Sequence, residues 1–214
     1  MKISPTLTEV KEIAKTGKYD ILPVSCEILS DFITPIEAMR ILQNVSTHCY
    51  LLESAQANEA WGRYTFLGYD PKLEINCIDG HMKLGKLSVE TENPSEYIRQ
   101  ILSEYKSPKF DYLPSFTGGL VGYFSYDYLG YKEKSIRGKA RDTEDFKDVD
   151  LMLFDKVIAF DNLCQKIILI ANMSLDAPET GYNKAIVEIK QLRELLMHGE
   201  KKQNMGGKLL GEVT

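Results

Sequence analysis

Residues 50–68 read YLLESAQANEAWGRYTFLG and predict two strands that flank a polar loop. The apolar run Cys49–Leu52 forms the first strand, and residues 64–68 alternate in the manner of a second. Glu53 and Ser54 place a carboxylate beside a hydroxyl where the first strand ends. Two strands around such a loop indicate a small-molecule pocket.

The pair Glu53 and Ser54 has two interpretations. A carboxylate and a hydroxyl at a strand end can accept hydrogen bonds from the ammonium group of a ligand. Alternatively, Ser54 caps a turn made by residues 55–58, as an N-cap does for a helix. Spacing alone favours the turn. The only tryptophan, Trp61, then leads into the second strand.

The rest of the chain predicts an α+β fold with largely antiparallel, sandwich-like sheets and about four flanking helices. Strands occur in hairpin-like pairs, and Asp79-Gly80 is a typical tight hairpin turn. Residues 157–161 and 167–172 form another hairpin. The predicted helices begin near Thr6, Thr34, Asn93 and Pro178.

Two further segments give specific expectations. The helix after Asn93 should bury Tyr97, Ile98, Ile101, Leu102 and Tyr105. Residues 114–128 are rich in glycine and aromatic residues, and they predict a buried strand that passes close to another backbone at Gly118 and Gly119. The same glycines do not make a GxGxxG phosphate loop.

Composition narrows the function classes. A net charge of −5 without a concentrated basic face argues against nucleic-acid partners. No apolar run reaches the roughly 20 residues of a transmembrane helix, and residues 1–17 lack a signal-peptide core. The four cysteines do not form a CxxC motif. We therefore expect no membrane contact, a cytoplasmic location, no metal site and no complete catalytic set.

Residues 200–214 differ from the rest of the chain. They are polar, contain three glycines and lack a core-forming pattern, which is typical of a linker. The sequence thus predicts that the chain is part of a longer protein.

Four segments, taken in order, resemble the N-terminal region of the anthranilate synthase component I family. They are LLES at 51–54, WGRYTFLG at 61–68, FTGGLVGYFSYD at 116–127 and DLMLFDKVIAFD at 150–161. The order and spacing agree over essentially the whole chain. The tetrapeptide LLES alone would be a weak signal, whereas four matches in order are specific.

The resemblance implies that residues 1–199 form the N-terminal domain and that 200–214 lead to a C-terminal chorismate-binding domain that this chain lacks. Such enzymes convert chorismate to anthranilate and pyruvate, with Mg2+ and with ammonia delivered by a glutamine amidotransferase subunit. The chorismate and magnesium residues belong to the C-terminal half, so no catalytic or metal residue carries over to this chain.

L-Tryptophan inhibits the family by feedback, and the serine of LLES contacts it. The resemblance therefore gives Ser54 that role, with Glu53 and Leu52 beside it, and a Pro-Tyr-Met-like segment of the other half as the opposite wall. In chemical terms, Glu53 and Ser54 would accept from the ammonium group, and Leu51 or Leu52 would contact the indole.

Two alternatives remain open from the sequence. One is the N-terminal portion of aminodeoxychorismate synthase component I, a related enzyme. The other is a free-standing module that binds an amino acid or another subunit and has no chemistry of its own.

Overall fold

The computed structural model describes residues 2–54, 62–133, 135 and 146–202. Within these ranges the chain forms two antiparallel sheets, four α-helices and one 3-10 helix, which confirms the predicted α+β class. The strands are β1 (Ile3–Ser4), β2 (Ile21–Leu29), β3 (Cys49–Leu52), β4 (Tyr64–Tyr69), β5 (Leu73–Ile78), β6 (His81–Leu84), β7 (Leu87–Glu90), β8 (Gly119–Phe124), β9 (Val149–Phe154), β10 (Lys156–Asp161) and β11 (Lys166–Ser174). The helices are α1 (Leu7–Lys15), α2 (Pro35–Val45), α3 (Pro94–Ser103), the 3-10 helix Tyr126–Tyr131 and α4 (Pro178–His198).

The six-stranded sheet has the order β1-β2-β11-β10-β4-β3. Its central strand β11 is buried on both faces, as its unbroken apolar run requires. Pro23 of β2 pairs with Asn172 of β11, whereas β1 reaches only Ser25 and Cys26 on the other side. Within the described ranges Pro23 therefore sits at an open edge, where its missing N–H costs no ladder hydrogen bond.

The five-stranded sheet has the order β7-β6-β5-β9-β8. Asp79 and Gly80 turn from β5 into β6 with φ of 48° and 84°, the left-handed pair that a type I′ hairpin needs. The predicted close backbone approach occurs at Gly118, where a Cβ atom would lie 3.1 Å from the Phe154 carbonyl oxygen, but not at Gly119, where it would meet only the Phe116 side chain at 3.7 Å. The closest approach is at Gly122 of β8, where a Cβ atom would lie 2.0 Å from the Asp150 carbonyl oxygen. The prediction of a buried strand is wrong, however, because β8 is an outer strand and its second half is exposed.

Two chain passages join the sheets. Strand β4 leads into β5, and β9 leads into β10 with only Asp155 between them. Each of these continuous pairs leaves one sheet and enters the other, so the two sheets meet where the pairs bend. This junction places the end of β9 beside the β3–β4 hairpin.

Helices cover one face of the six-stranded sheet. Helices α1, α2 and α4 pack there, and α4 inserts a stripe that includes Ala185, Ile189 and Leu192. The opposite face packs against the loop that carries Leu113. Helix α3 packs on the five-stranded sheet through Ile98, whereas Leu102, which was expected to be buried, is 44% exposed. No helix in the described ranges is long and apolar enough to cross a membrane.

Capping boxes start α1 and α2. Thr34 accepts a hydrogen bond from the Glu37 backbone N–H, while the Glu37 side chain accepts from the Thr34 backbone. Lys201, beyond α4, also donates to Glu37. The hydrogen bond from Lys201 and those from Thr34 lower the pKa of Glu37 to about 2. The chain after α4 is thereby held against the start of α2.

Candidate functional site

The predicted ligand residues lie at the open end of an edge strand. Strand β3 is the last strand of the six-stranded sheet and pairs only with β4 within the described ranges. Leu52 ends it opposite Phe66, and Glu53 and Ser54 continue beyond it with exposed side chains. The structure thus keeps these side chains accessible at one corner of the sheet.

The strand register separates the two leucines that could contact an apolar ligand. Leu51 packs with the core that lies under the helices. Leu52 faces the other side of the sheet, which it shares with Tyr50 and Phe66, because alternate residues of a strand point to the same face. It is 48% exposed there. Leu52 is therefore the more exposed of the two candidates, whereas Leu51 is half-buried against the core.

An aromatic cluster, formed by Tyr50, Phe66, Phe116 and Phe154, lies on the same face as Leu52. The Tyr50 ring meets Phe154 edge to face at 4.7 Å between centroids, and Phe66 meets Phe116 at 5.7 Å. Tyr50 and Phe116 are 6.4 Å apart. These geometries are favourable for aromatic pairs and hold the rings in fixed positions. The cluster fills the junction of the two sheets and supports the β3 edge from beneath.

Tyr50 is a buried residue of the aromatic cluster whose role the sequence did not predict. Its ring crosses over Gly68 on β4, where a Cβ atom would lie 2.2 Å from Tyr50 Cε1. Its hydroxyl is buried, and among the described residues it has no hydrogen-bond partner. Burial also raises the pKa of Tyr50 well above its ordinary value, so the hydroxyl stays protonated. In the sequence, the signal for this packing is Gly68, because any larger residue there would clash with the Tyr50 ring.

Arg63 anchors the chain where it returns from the loop to β4. Its guanidinium donates to both carboxylate oxygens of Asp161, at 3.1 and 2.6 Å, and its carbonyl accepts from Asn162. Burial of Asp161 acts to raise its pKa. The hydrogen bonds from Arg63 and from the Cys164 backbone outweigh that effect, so the pKa lies below its ordinary value. The pair joins residues 98 apart, which no local pattern could reveal.

Part of the predicted pocket lies outside the residues that the structure describes. Trp61 and residues 55–60 lie outside the described residues. The alternative in which Ser54 caps a turn depends on residues 55–58 and therefore also lies outside them. Leu52, Glu53, Ser54 and the strand after Arg63 are the parts of the pocket that the structure defines.

The described residues do not supply a catalytic metal centre. Among them, no three His, Cys, Asp or Glu side chains form a group that could hold a metal ion.

A cavity lies away from the β3 edge, beside the first turn of α4. Its volume is about 610 Å³, and it is lined by charges of both signs that include Asp70, Lys156, Lys184 and Glu188. Lys156 is already paired with Asp70 at 2.7 Å. The cavity lining mixes apolar residues, such as Pro71, Met173 and Ala185, with charges of both signs. We place the candidate site at the β3 edge because the residues that the family resemblance assigns to the ligand lie there.

The known proteins that are similar to this chain share one name. The chain is 34% identical over 198 residues to anthranilate synthase component 1 of Acetivibrio thermocellus, which covers 90% of this chain. It is 35% identical over 196 residues to the protein of the same name from Pseudomonas aeruginosa, covering 88%. A probable anthranilate synthase component 1 of Schizosaccharomyces pombe is 30% identical over 92% of the chain. No family model matches the sequence.

A solved structure agrees with these relatives. The crystal structure of anthranilate synthase component I from Streptococcus pneumoniae TIGR4 matches 78% of this chain with a TM-score of 0.50 and 25% identity. The chain spans about 39% of the length of the first two relatives and 36% of that crystal structure. The chain is homologous to the N-terminal part of proteins named anthranilate synthase component 1, over about nine-tenths of its own length.

Proposed function

We propose that this chain is the N-terminal regulatory portion of an anthranilate synthase component I and carries half of an L-tryptophan feedback site. The relatives that cover about nine-tenths of the chain bear that enzyme's name. The observation that carries the site is the exposed run Leu52, Glu53 and Ser54 at the open end of β3. The whole enzyme, a lyase, would convert chorismate and ammonia to anthranilate and pyruvate.

The proposed site matches two of the three chemical parts of tryptophan, the ammonium group and the indole. The carboxylate of Glu53 and the hydroxyl of Ser54 would accept hydrogen bonds from the ligand ammonium group, and charge-assisted bonds of this kind are the stronger class. The exposed side of Leu52 would contact the indole. The rigid aromatic cluster under Leu52 would keep that surface in place, so that little order has to be imposed when the ligand binds.

Half a site should bind weakly. Glu53 and Ser54 face solvent, so water competes for the ammonium group and screens its attraction to the carboxylate. In the longer relatives, a C-terminal chorismate-binding domain would close the site and desolvate it. Binding there would then be coupled to catalysis by roughly 1–3 kcal/mol, as is typical of allosteric pairs.

The remaining partners follow from the same proposal. Residues 1–199 would form the regulatory domain, and 200–214 would lead to the chorismate-binding domain. That domain would hold Mg2+, and a glutamine amidotransferase subunit would deliver ammonia to it. This chain would supply inhibitor binding and no reacting group.

An activity assay tests the catalytic part of the proposal. We expect no anthranilate fluorescence above background when the 214-residue chain is incubated with chorismate, ammonium and Mg2+. The full-length Acetivibrio thermocellus relative, in the same assay, serves as the positive control. Turnover by the 214-residue chain alone would show that it carries its own reaction chemistry, and the proposal of a purely regulatory portion would then be wrong.

A further inference from the structure

Residues 199–202 follow α4 and lie along α2, where they form a clamp. Lys201 donates a hydrogen bond to a carboxylate oxygen of Glu37, in the first turn of α2, at 2.5 Å. The backbone N–H of Lys202 donates to the carbonyl oxygen of Arg40 at 3.0 Å. One contact is an ion pair and the other joins two main-chain groups, so the clamp does not depend on a single side chain.

Two further contacts bring the same segment against the middle and the end of α2. The side chain of Asn44 donates to the carbonyl oxygen of Glu200 at 2.5 Å. Gly199 lies so close to α2 that an added Cβ atom would be 2.5 Å from Cγ2 of Ile41, and 2.4 Å from the carbonyl oxygen of Leu195. Only glycine permits this approach without a shift of the chain. The clamp therefore follows α2 from its first turn to its last.

Helix α2 leads almost directly into the strand that carries the candidate site. Its C-cap residue, Ser46, donates its backbone N–H to the carbonyl oxygen of Leu42. The Ser46 hydroxyl donates to the carbonyl oxygen of His48 at 2.8 Å, and it accepts from the backbone N–H groups of His48 and Asp70. This bracket uses the one donor and both acceptor positions of the hydroxyl. It fixes the end of α2 against Cys49, where β3 begins, and against the chain that leaves β4.

Both ends of this connection can move without unfolding the core. The side chains of Lys201 and Glu37 are 50% and 35% exposed, and exposed ion pairs contribute little to stability. Strand β3 has four residues, and within the described ranges it pairs only with β4. Short edge elements and solvent-exposed hydrogen bonds open at low free energy. The clamp thus has an engaged and a released state that differ little in free energy.

We propose that the clamp couples the candidate site on β3 to the direction in which the chain continues after Lys202. When it is engaged, residues 199–202 hold α2, and α2 holds β3 through the Ser46 bracket. Tryptophan at Leu52–Ser54 would favour the engaged state, and the engaged clamp would favour tryptophan to the same extent, because coupling between two sites is reciprocal. This inference rests on the proposed function, since it gives the clamp a part in conveying inhibition to the C-terminal portion.

Amide exchange and chemical shifts of the 15N-labelled 214-residue chain test the coupling without tryptophan. In Lys201→Ala, the Lys202 amide should exchange about 2- to 5-fold faster, the effect expected when one exposed ion pair is lost. The change in amide shifts should extend along α2 and through Ser46 to Cys49–Leu52. Gly199→Ala, which displaces the clamp from Ile41, should change the shifts of the same residues by a larger amount.

Two control variants separate this route from a general effect of surface charge. Lys201→Arg keeps the charge and the donor, so the shifts of β3 should return to those of the unmodified chain. Lys11→Ala removes another exposed lysine–glutamate pair, the one that joins α1 to Glu179 of α4. It should leave the shifts of β3 and the exchange of the Lys202 amide unchanged. Shift changes in Lys201→Ala and Gly199→Ala that end before Ser46 would overturn the proposed coupling, whatever tryptophan does.

Inhibition of the full-length enzyme that contains this chain tests the regulatory consequence. Lys201→Ala should raise the tryptophan concentration for half inhibition about 2- to 5-fold, while turnover without tryptophan, Lys201→Arg and Lys11→Ala remain at the unmodified values. An unchanged half-inhibition concentration in Lys201→Ala would contradict the part of the clamp in inhibition. A full-length enzyme that tryptophan does not inhibit would contradict the proposed function instead, and the shifts of the 214-residue chain would still decide whether the clamp is coupled to β3.

Discussion

The packing of Tyr50 over Gly68 gives a sharp prediction, because it determines the support beneath Leu52. An alanine at position 68 would place its Cβ atom 2.2 Å from Tyr50 Cε1 and 2.9 Å from the hydroxyl oxygen. The ring would have to move by about 1.2 Å to reach the 3.4 Å of ordinary contact. Phe154, at 4.7 Å between ring centroids, restricts that movement.

The magnitude follows from steric strain alone. The backbone of Gly68 is not in the left-handed region, so alanine causes no backbone strain there. Extra atoms in a well-packed core typically cost about 1–3 kcal/mol. We therefore expect Gly68→Ala to lower the free energy of unfolding by about 1–3 kcal/mol, although alanine would otherwise stabilise a strand slightly through chain entropy.

A double-mutant cycle with Tyr50→Leu isolates this contact. Removing the ring should itself be destabilising, but it opens the space that the added methyl group needs. In the Tyr50→Leu background, Gly68→Ala should therefore cost less than about 0.5 kcal/mol. Urea unfolding followed by far-UV circular dichroism gives each free energy, provided that the denaturant slopes agree. Additive costs in the double variant would refute the assigned packing.

Four shorter predictions address the rest of the molecule. Arg63→Ala should destabilise by about 2–3 kcal/mol, because it leaves the buried Asp161 carboxylate without its charged partner; thermal unfolding measures this. The pKa of Asp161 is lowered on folding, so the ionised carboxylate stabilises the folded state at pH values above its unfolded-state pKa of about 3.9. This stabilisation is lost as the pH falls through the folded-state pKa. Asp161→Asn should therefore flatten the acid side of the curve of unfolding free energy against pH. Gly80→Ala should cost about 1–2 kcal/mol in urea unfolding, because φ there is 84°. In the full-length enzyme, Ser54→Phe should raise the tryptophan concentration for half inhibition at least ~10-fold while uninhibited turnover is retained, and unchanged inhibition would remove Ser54 from the site.

Local sequence pattern was sufficient for most secondary structure. Strand β3 has the predicted bounds Cys49–Leu52, and α4 has the predicted bounds Pro178–His198. Both elements have strong periodicity or clear end signals, and these depend only on neighbouring residues. Leu102 was wrongly predicted to be buried. Helical spacing identifies the apolar stripe of a helix, but the packing partner determines which residues of that stripe are buried.

The candidate site was only partly accessible to such reasoning. The position of Glu53 and Ser54 after a strand could be predicted, but the choice of Leu52 over Leu51 required the register with β4. The Arg63–Asp161 pair required contact between distant segments. The exposed edge strand β8 was mistaken for a buried strand, because an apolar glycine-rich run looks the same in the sequence whether the strand lies inside a sheet or at its edge.

The most direct test of the central claim is a titration of the 15N-labelled 214-residue chain with L-tryptophan, followed by amide chemical shifts. Fast exchange suits the weak binding expected of half a site. We predict saturable shifts centred on Leu52, Glu53 and Ser54, which are lost in Ser54→Phe and absent with D-tryptophan. Shifts centred instead on the cavity at Lys156 and Lys184, or no shifts at all, would contradict the assignment of the β3 edge as the tryptophan site.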